Sequence, residues 1–504
     1  MNEIPPEQRE VAQFLTALAG RAPQLTHISA VFVGQDTAWK MKKAVRLDFL
    51  DFSTLALRKR FLIREWELNR RTAPTLYRDV VPIWRAAAGD LRIGAAPAEV
   101  PPAEAPIVEW VLRMAAVPAE DFLDRMAASG IITPALLLAL ADAVAAFHLA
   151  LPPVLGWDSA GALARVIEGN FLAARHAGLD ALACTAWAEA ARRALAARAT
   201  WLAARASAGF VRRGHGDLHL GNICLWEGRP VAFDALEFDE SLATIDVGYD
   251  LAFLLMDLDQ CVDRASANRV LNRYVARTGD AELVAGLALF LSLRAMVLAH
   301  VETRRGHARL GARYFVAARA ALAVPPAVIL AIGGLPGSGK SSLARAIAPE
   351  LGAAPGALIL RSDDIRKRRH GVAPETRLPA SAYGAAEDRA VYREMFASAR
   401  QAAAAGHAVI LDASFRDPAT RAAAAASAAG AGVRFLGVWL DAPLPLLEAR
   451  IAARRDDASD ATIAVLRAAA AGTARPADWP KIEASDGARA LAALRACGEF
   501  IASK

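Results

Sequence analysis

Hydrophobic and polar positions divide the chain into a first part, in which strands precede helices, and a second part, in which the two alternate. The pattern over residues 28–46 predicts two strands that meet at the turn-forming triplet GQD, followed by a helix over 53–72 with Ser53 as its N-cap. Further strands are predicted in VVPIWRAA, LRIGAA, PIVEWVLRM and RPVAFDALEF, and helical segments over 117–210 and 243–322. This order predicts a two-lobed α+β domain.

The pattern changes near residue 323, where Pro325 and Pro326 end the last helix and an apolar strand starts directly. The predicted strands of the second part are 327–333, 356–361, 407–412 and 433–440, with helices between them that include 340–350 and 443–455. Alternation of this kind predicts an α/β domain with a parallel sheet covered by helices. The predicted domains are therefore 1–323 and 324–504.

Composition agrees with a folded chain of two or three domains. The 504 residues exceed one compact core, and 55% hydrophobic against 22% charged residues exclude a disordered chain. The net charge is +6, and the densest basic run, RKRR (366–369), is too short to demand nucleic acid but does not exclude it. Four cysteines without CxxC spacing argue against zinc and disulfides. With no predicted signal peptide or membrane span, we expect a cytoplasmic protein.

The most specific motif is a glycine-rich loop after the first strand of the second domain. Residues 334–341, GLPGSGKS, match G-x-x-x-x-G-K-[ST] between an apolar strand and a helix. The glycines let backbone N–H groups surround phosphate oxygens, and the helix N-terminus adds partial positive charge. We expect Lys340 to reach the β- and γ-phosphates of ATP and Ser341 to bind Mg²⁺. The predicted nucleotide-binding residues are Gly334, Gly337, Ser338, Gly339, Lys340, Ser341 and Ser342.

That lysine stands out because only eight of the 59 basic residues of the chain are lysines. The positive surface charge of the chain is otherwise supplied by arginine. A lysine in a glycine-rich loop or on an apolar strand is therefore stronger evidence of a functional role than usual. A glycine loop beside a chance lysine is the alternative, and the strand–loop–helix context argues against it.

Carboxylates end two further strands of the second domain. Asp363 and Asp364 follow the strand in LILRS, where either could take a proton from a substrate hydroxyl, hold Mg²⁺ or cap a helix. We assign Asp363 as the candidate base and leave the choice between the two open. Asp412 ends the strand in AVILD, the position of a Walker B-like metal carboxylate.

A helix in LPLLEARIAARR carries Arg450, Arg454 and Arg455, which could close over the transferring phosphate or form a solvated basic face. We expect Arg450 and Arg454 to contact the nucleotide. Together with GLPGSGKSS, RSDDIRK and GHAVILDASF, this segment resembles the P-loop kinases grouped with polynucleotide kinase, gluconate kinase and zeta-toxin-like proteins. The resemblance covers about residues 327–500.

The other chemically suggestive stretch is RRGHGDLHLGN (212–222), in which Asp217 precedes Asn222 by five residues on a turn with several glycines. A strand after it offers Asp234 in VAFDALEF, and a strand far upstream offers Lys40 or Lys42 in DTAWKMKKAV. The helix that follows offers Glu65 or Glu67. This ordered set resembles the aminoglycoside phosphotransferase family, the small-molecule branch of the protein-kinase fold, over about residues 28–310.

The resemblance implies a protein-kinase-like fold and a role for each residue of the set. Asp217 would accept the proton of the acceptor hydroxyl, and Asn222 and Asp234 would hold Mg²⁺. We prefer Lys40 to Lys42 because TAWK stands in the place of the V-A-I-K pattern, although both share one strand parity. We prefer Glu65 to Glu67 because Glu65 shares a helical face with apolar residues.

Two further segments receive structural expectations. The strand VEWVLRM would present its backbone to adenine. Asp246 and Asp250, in IDVGYDLAF, are expected to hold the catalytic turn by hydrogen bonds.

These observations predict an ATP-dependent phosphotransferase with two Mg·ATP sites and a small-molecule or nucleotide-like hydroxyl acceptor. One alternative is a nucleotide-dependent regulator, in which the first half is a degenerate kinase-like binding module and the P-loop half an ATPase switch. ATP turnover without a phosphorylated acceptor would favour that alternative. A third interpretation is an antibiotic-resistance kinase, for which FDALEFDES supplies some of the acidic character that a polycationic acceptor requires.

Overall fold

The computed structural model describes residues 3–47, 50–94, 104–453, 458–472, 476 and 478–497. Its strands are β1 (Gln24–Leu25), β2 (Ser29–Val33), β3 (Thr37–Lys42), β4 (Arg46–Leu47), β5 (Leu50–Asp51), β6 (Tyr77–Arg85), β7 (Leu91–Ile93), β8 (Ile107–Ala115), β9 (Val211–Arg213), β10 (Ile223–Trp226), β11 (Arg229–Ala232), β12 (Thr244–Asp246), β13 (Val328–Gly334), β14 (Leu358–Arg361), β15 (Val409–Asp412), β16 (Arg434–Asp441) and β17 (Lys481–Glu483).

Its α-helices are α1 (Arg9–Ala19), α2 (Leu55–Asn69), α3 (Leu123–Ala128), α4 (Pro134–Ala150), α5 (Ser159–His176), α6 (Ala181–Ala196), α7 (Ala199–Ser207), α8 (Glu240–Ala243), α9 (Val247–Cys261), α10 (Arg264–Thr278), α11 (Val284–Arg304), α12 (Ala308–Ala321), α13 (Lys340–Ile347), α14 (Ser362–Arg369), α15 (Ala385–Ala404), α16 (Pro418–Ala431), α17 (Leu444–Ala452), α18 (Ile463–Gly472) and α19 (Gly487–Ala496).

The chain divides into two compact units. The first comprises Met1–Ile132, Ala146–Trp157 and Arg205–Asp250, and the second comprises Thr133–Ala145, Asp158–Ala204 and Leu251–Lys504. The second unit therefore joins helices from the middle of the chain to the region after residue 323. The predicted domain boundary at 323 lies inside this unit and stays a prediction.

The first unit is built on a six-stranded sheet in the order β1-β2-β3-β8-β6-β7, with antiparallel neighbours. Gly34 closes the predicted β2–β3 hairpin by donating its N–H to the Thr37 carbonyl at 2.8 Å. Neighbouring residues of β8 serve opposite faces, since Val111 packs in a core with α1 and Leu112 packs in a core with α2. The sheet thus fixes β3 and α2, which carry predicted site residues.

Helix α2 is capped by Thr54, so the prediction of Ser53 as its N-cap was wrong. The Thr54 hydroxyl accepts from the Leu57 N–H at 3.3 Å. The Ser53 hydroxyl instead donates to Asp51 Oδ1 at 2.6 Å and is not available to the helix.

The second unit contains the predicted parallel sheet, with five strands in the order β14-β15-β13-β16-β17. Every residue of the central strand β13 is buried. Because the carboxyl ends of parallel strands share one edge, the residues after β13, β14 and β15 come together there. Asp412 at the end of β15 pairs in register with Ile332 of β13.

Two features of the helices in this unit bear on the earlier expectations. The segment Ala281–Arg304 is long and apolar enough to cross a membrane, but 67% of its most apolar window is buried in the protein, as in a core helix. Helix α10 lies against the edge strand β14, where the Asn272 side chain accepts from the Ile359 N–H at 2.6 Å and donates to the Ala357 carbonyl at 3.2 Å. The strand that leads to Asp363 is therefore held on both sides.

Candidate active sites

Strand β3, helix α2 and the segment after β11 bring three charged side chains into one hydrogen-bonded row. Lys40 donates from Nζ to Glu65 Oε1 at 2.7 Å and to Asp234 Oδ1 at 2.6 Å. Glu65 is fully buried, whereas Glu67 is exposed and lies 3.8 Å from Arg64. The structure thus places Glu65, and not Glu67, against the lysine.

The second lysine of β3 joins the same network. Residues two apart on a strand point to the same side of the sheet, so Lys42 lies beside Lys40. Its Nζ donates to Glu65 Oε2 at 2.8 Å and also to Glu237. Glu237 is buried and was missed by the sequence analysis. The acidic composition of FDALEFDES was its only signal, because no motif spacing marks the third residue after Asp234.

Burial and opposite charge act against each other in this cluster of Lys40, Lys42, Glu65, Asp234 and Glu237. Burial alone lowers the pKa of Lys40, but the carboxylates of Asp234 and Glu65 raise that pKa well above its ordinary value. Burial alone raises the pKa of Glu65, but the two lysines overcome it and the pKa is lowered. Burial raises the pKa of Glu237. With every group ionised the cluster has one excess negative charge, which suits a nearby cation.

Asp217 and Asn222 lie together on the turn between β9 and β10. Asn222 donates from Nδ2 to the Asp217 backbone carbonyl and to its Oδ2, each at 2.9 Å. The short 3-10 helix Leu220–Asn222 sets this spacing. The Asp217 side chain is 42% exposed, so its carboxylate is accessible to a bound hydroxyl.

His215 connects this turn with the segment that carries Asp234. Its Nε2–H donates to the Phe233 carbonyl at 2.9 Å, and its Nδ1 accepts from the Asp217 N–H at 3.3 Å. Burial lowers the pKa of His215, which favours this neutral form. Because Phe233 directly precedes Asp234, one buried ring positions both predicted site carboxylates.

Asp250 holds the turn that carries Asp217 and Asn222, as expected from the sequence. Its carboxylate is fully buried and accepts from the N–H groups of His215 at 2.6 Å and Gly216 at 3.0 Å. Asp246 acts elsewhere, because it accepts from Arg205 at 2.7 and 3.0 Å. The expectation was therefore wrong for Asp246, which binds Arg205 of α7 and the Gly248 N–H and not the turn itself.

Two oxygens near this turn remain open for a metal ion. Asp234 has a φ of 60°, a conformation that costs a non-glycine residue about 1–3 kcal/mol and concentrates at functional sites. Within the described part of the chain, Asp234 Oδ2 and Asn222 Oδ1 accept no hydrogen bond. Carboxylate and amide oxygens of this kind fit Mg²⁺, so the predicted metal residues suit that ion.

The expectation for VEWVLRM needs correction. Residues 112–115 of β8 pair with β3, and residues 107–114 pair with β6. Much of the backbone that was expected to contact adenine is therefore hydrogen-bonded to the neighbouring strands.

The P-loop follows β13 and has the backbone that its glycines allow. Gly337 has a φ of 82°, and a Cβ there would lie 2.7 Å from the Leu447 carbonyl oxygen, so only glycine fits. Lys340 is the first residue of α13 and donates from Nζ to the carbonyls of Gly334 and Leu335 at 2.9 and 3.0 Å. The Lys340 ammonium group therefore lies against the backbone of the loop.

Two buried polar atoms beside the P-loop have no hydrogen-bond partner among the described residues. They are Ser338 Oγ and Asp412 Oδ2, and Arg361 Nε lies 3.6 Å from the latter. Buried polar atoms are normally paired, so an open carboxylate oxygen at a strand end fits a metal ligand. Ser341, the other predicted metal residue of this half, lines the same cavity as Asp412.

The two neighbouring aspartates after β14 differ in position. Helix α14 begins at Ser362 with Arg361 as its N-cap residue and no side-chain cap, so neither Asp363 nor Asp364 caps it. Asp363 lines the cavity in front of the P-loop, whereas Asp364 is not among its lining residues. Burial raises the pKa of Asp363, and it raises the pKa of Asp364 to about 6.

Of the predicted arginines, Arg450 lies at the cavity. It donates to the carbonyls of Ala484 and Ser485 at 2.9 and 2.8 Å, which fixes its guanidinium beside the P-loop. Arg454 and Arg455 lie outside the described residues. The cavity measures about 2170 Å³ and is also lined by Gly337, Ser338, Gly339, Lys340 and Ser342.

Comparisons with known proteins agree with this division into two site regions. The model of the phosphotransferase enzyme family matches residues 59–287, and the model of an AAA domain matches residues 328–476. An uncharacterized protein of Mycobacterium tuberculosis is 31% identical over 474 residues, which cover 90% of each chain. The chain belongs to the family of that protein, and in this chain the phosphotransferase-type segment precedes the AAA-domain segment.

Solved structures are similar to each part separately. A gluconokinase from Sinorhizobium meliloti is 22% identical, covers 34% of this chain and 94% of its own, and superposes with a TM-score of 0.25. An aminoglycoside phosphotransferase is 12% identical, covers 62% of this chain and 98% of its own, and superposes with a TM-score of 0.38.

Proposed function

We propose that the chain is an ATP-dependent phosphotransferase with two Mg·ATP sites, each of which transfers the γ-phosphate to a hydroxyl acceptor. The observation that carries the proposal is the row of Glu65, Lys40 and Asp234, held next to a turn on which Asn222 touches Asp217. Phosphoryl transfer depends mainly on positioning and charge, and these side chains are already positioned by buried partners.

In the first unit, each residue has a distinct task. Lys40, oriented by Glu65, binds nucleotide phosphates, and Asn222 with Asp234 would hold Mg²⁺. The metal ion would neutralise charge that develops on the phosphates. Asp217 takes the proton of the acceptor hydroxyl, for which its exposed carboxylate is suited. Neutral His215 fixes the positions of Asp217 and Asp234 through its bonds to the Asp217 N–H and the Phe233 carbonyl.

In the P-loop region, Lys340 and the backbone N–H groups of the loop bind the phosphates of a second nucleotide. Ser341 and Asp412 would hold its Mg²⁺, and Arg450 lies where it can contact the nucleotide. Asp363 takes the acceptor proton, since it lines the cavity and Asp364 does not. The P-loop motif and the family match at residues 328–476 support this assignment.

Magnesium dependence of nucleotide binding tests the first site. In a Lys340→Ala background, which weakens the P-loop site, Asn222→Ala and Asp234→Ala should lower the affinity for a non-hydrolysable ATP analogue by about 10-fold or more in Mg²⁺. Without Mg²⁺ the loss should shrink, most clearly for Asn222→Ala. Calorimetry measures both affinities.

Two matched variants serve as controls. Asp217→Ala should leave the affinity unchanged, because a base acts on the acceptor and not on ATP. Asp239→Ala removes a half-buried carboxylate that caps α8 and should also leave the affinity unchanged. Equal losses in Asp217→Ala and Asp234→Ala, or a loss in Asn222→Ala that ignores Mg²⁺, would contradict the proposed roles.

A further inference from the structure

The cavity that contains the P-loop is also lined by arginines and aromatic rings that the nucleotide-binding motif does not use. Arg389, Tyr392, Arg393 and Phe396 follow one another on α15 at the spacing that places side chains on one helical face. Two neighbouring loops add Arg377 and Arg416. We call Arg377, Arg389, Arg393 and Arg416 the arginine set.

The charges of this cavity are not balanced. Nine basic and five acidic side chains line it among the described residues. Each of the five acids already has a partner. Asp388 binds Arg366 at 2.6 Å, Asp460 binds Lys367 at 2.7 Å, and Asp417 caps α16. Asp363 and Asp412 lie 3.9 and 3.6 Å from Arg361. By contrast, the side chains of the arginine set make no hydrogen bond or ion pair within the part of the chain that the structure describes. Positive charges that line a concave site attract anions.

The cavity is large enough for more than the nucleotide. Its volume of about 2170 Å³ exceeds the ~300–1,000 Å³ of an ordinary small-molecule site. Asp363 lines the same cavity, so an acceptor near the arginine set shares one space with the P-loop and the candidate base. Tyr392, whose hydroxyl lies 3.4 Å from Ser414 Oγ, and Phe396 offer surface for an uncharged part of the acceptor.

We propose that the acceptor at the P-loop site is a small anionic alcohol, a hydroxyl compound with a carboxylate or a phosphate ester that the arginine set binds. This inference rests on the proposed function of the P-loop region. In the transfer, the acceptor oxygen forms a bond to the γ-phosphorus of ATP while the bond from that phosphorus to the bridging oxygen breaks. The hydroxyl proton passes to Asp363, and ADP leaves.

A solvated basic face is the other account of these arginines, and the same helix supplies the contrast. Arg400 on α15 is exposed and makes no ion pair with a described residue, as in the arginine set, but it is not among the residues lining the cavity. Arg400→Gln is therefore the matched control for an Arg389→Gln/Arg393→Gln double variant.

The experiment uses the full chain, γ-labelled ATP and a low-molecular-mass metabolite extract separated on an anion exchanger. Label transfer that Lys340→Ala abolishes should occur with the retained, anionic fraction and not with the flow-through. At limiting acceptor concentration, the rate of this transfer should fall by about 10- to 100-fold for each arginine removed in the double variant. The rate of Arg400→Gln should stay near that of the wild type. Affinity for the ATP analogue should be equal in all three proteins.

The possible failures are distinguishable. Lys340-dependent transfer to the flow-through fraction, or equal transfer in the double variant and Arg400→Gln, overturns the anionic acceptor and leaves the proposed function standing. Transfer only to a 5′-hydroxyl oligonucleotide, supplied as a separate probe, overturns the small acceptor. Absence of Lys340-dependent transfer to any fraction overturns the proposed function of the P-loop region as well. To separate carboxylate from phosphate ester, the retained fraction is treated with phosphatase before the assay.

Discussion

The buried charge of Glu65 gives the sharpest prediction about the first site. Glu65→Gln removes the carboxylate that Lys40 and Lys42 share at 2.7 and 2.8 Å and leaves two ammonium groups in a buried network with fewer negative partners. Loss of one partner of a buried ion pair typically costs about 3–5 kcal/mol. Glu67→Gln, two residues away on the same helix, removes an exposed carboxylate with a 3.8 Å contact to Arg64 and should cost about 0–1 kcal/mol.

The free energy of unfolding of this part of the chain is measured by urea titration, with hydrogen exchange in peptides that cover β3 and α2 as the readout. The pKa of Glu65 is lowered in the folded protein, so its stabilising effect is present above its unfolded value of about 4.3 and is lost as the pH falls toward the folded value. The difference between wild type and Glu65→Gln should be full at neutral pH and should shrink below about pH 4. A difference under about 1 kcal/mol at neutral pH, equal to that of Glu67→Gln, would refute the reasoning.

Two further variants test the positioning of the candidate bases. Asp250→Ala removes the buried acceptor of the His215 and Gly216 N–H groups, each of which then costs about 1–3 kcal/mol, so hydrogen exchange in the turn should rise and the transfer that depends on Asp217 should fall; unchanged exchange would contradict this role. In the P-loop region, Asp363→Asn should lower label transfer by about 10²- to 10⁴-fold and Asp364→Asn should leave most of it; equal losses would show that the choice between the two is wrong.

Much of the candidate site follows from local sequence. Strand parity alone places Lys40 and Lys42 on one side of β3, and helical spacing separates Glu65 from Glu67. A strand before the P-loop and a helix after it are enough to predict where Lys340 lies. Such features depend on residues within a few positions of each other, so a single sequence contains them.

What could not be predicted depends on pairing between distant segments. Glu237 contacts Lys42 because the segment after β11 lies against β3 in the fold, and no spacing in the sequence encodes that contact. The same holds for β8, whose central place in the sheet uses the backbone that was expected to meet adenine. Ser53 and Thr54 are both residue types that cap helices, and the bond from Ser53 to Asp51 leaves Thr54 as the cap.

The central claim, two catalytic sites on one chain, is tested most directly by the products of two variants. Full-length wild type, Asp217→Ala and Lys340→Ala are incubated with γ-labelled ATP and a metabolite extract, and the labelled compounds are separated. Two sites predict two products: Asp217→Ala abolishes one and spares the other, and Lys340→Ala does the reverse, with losses of about 10²-fold or more. A single product that Asp217→Ala abolishes and Lys340→Ala only slows would contradict the claim and show that the P-loop region regulates the other site.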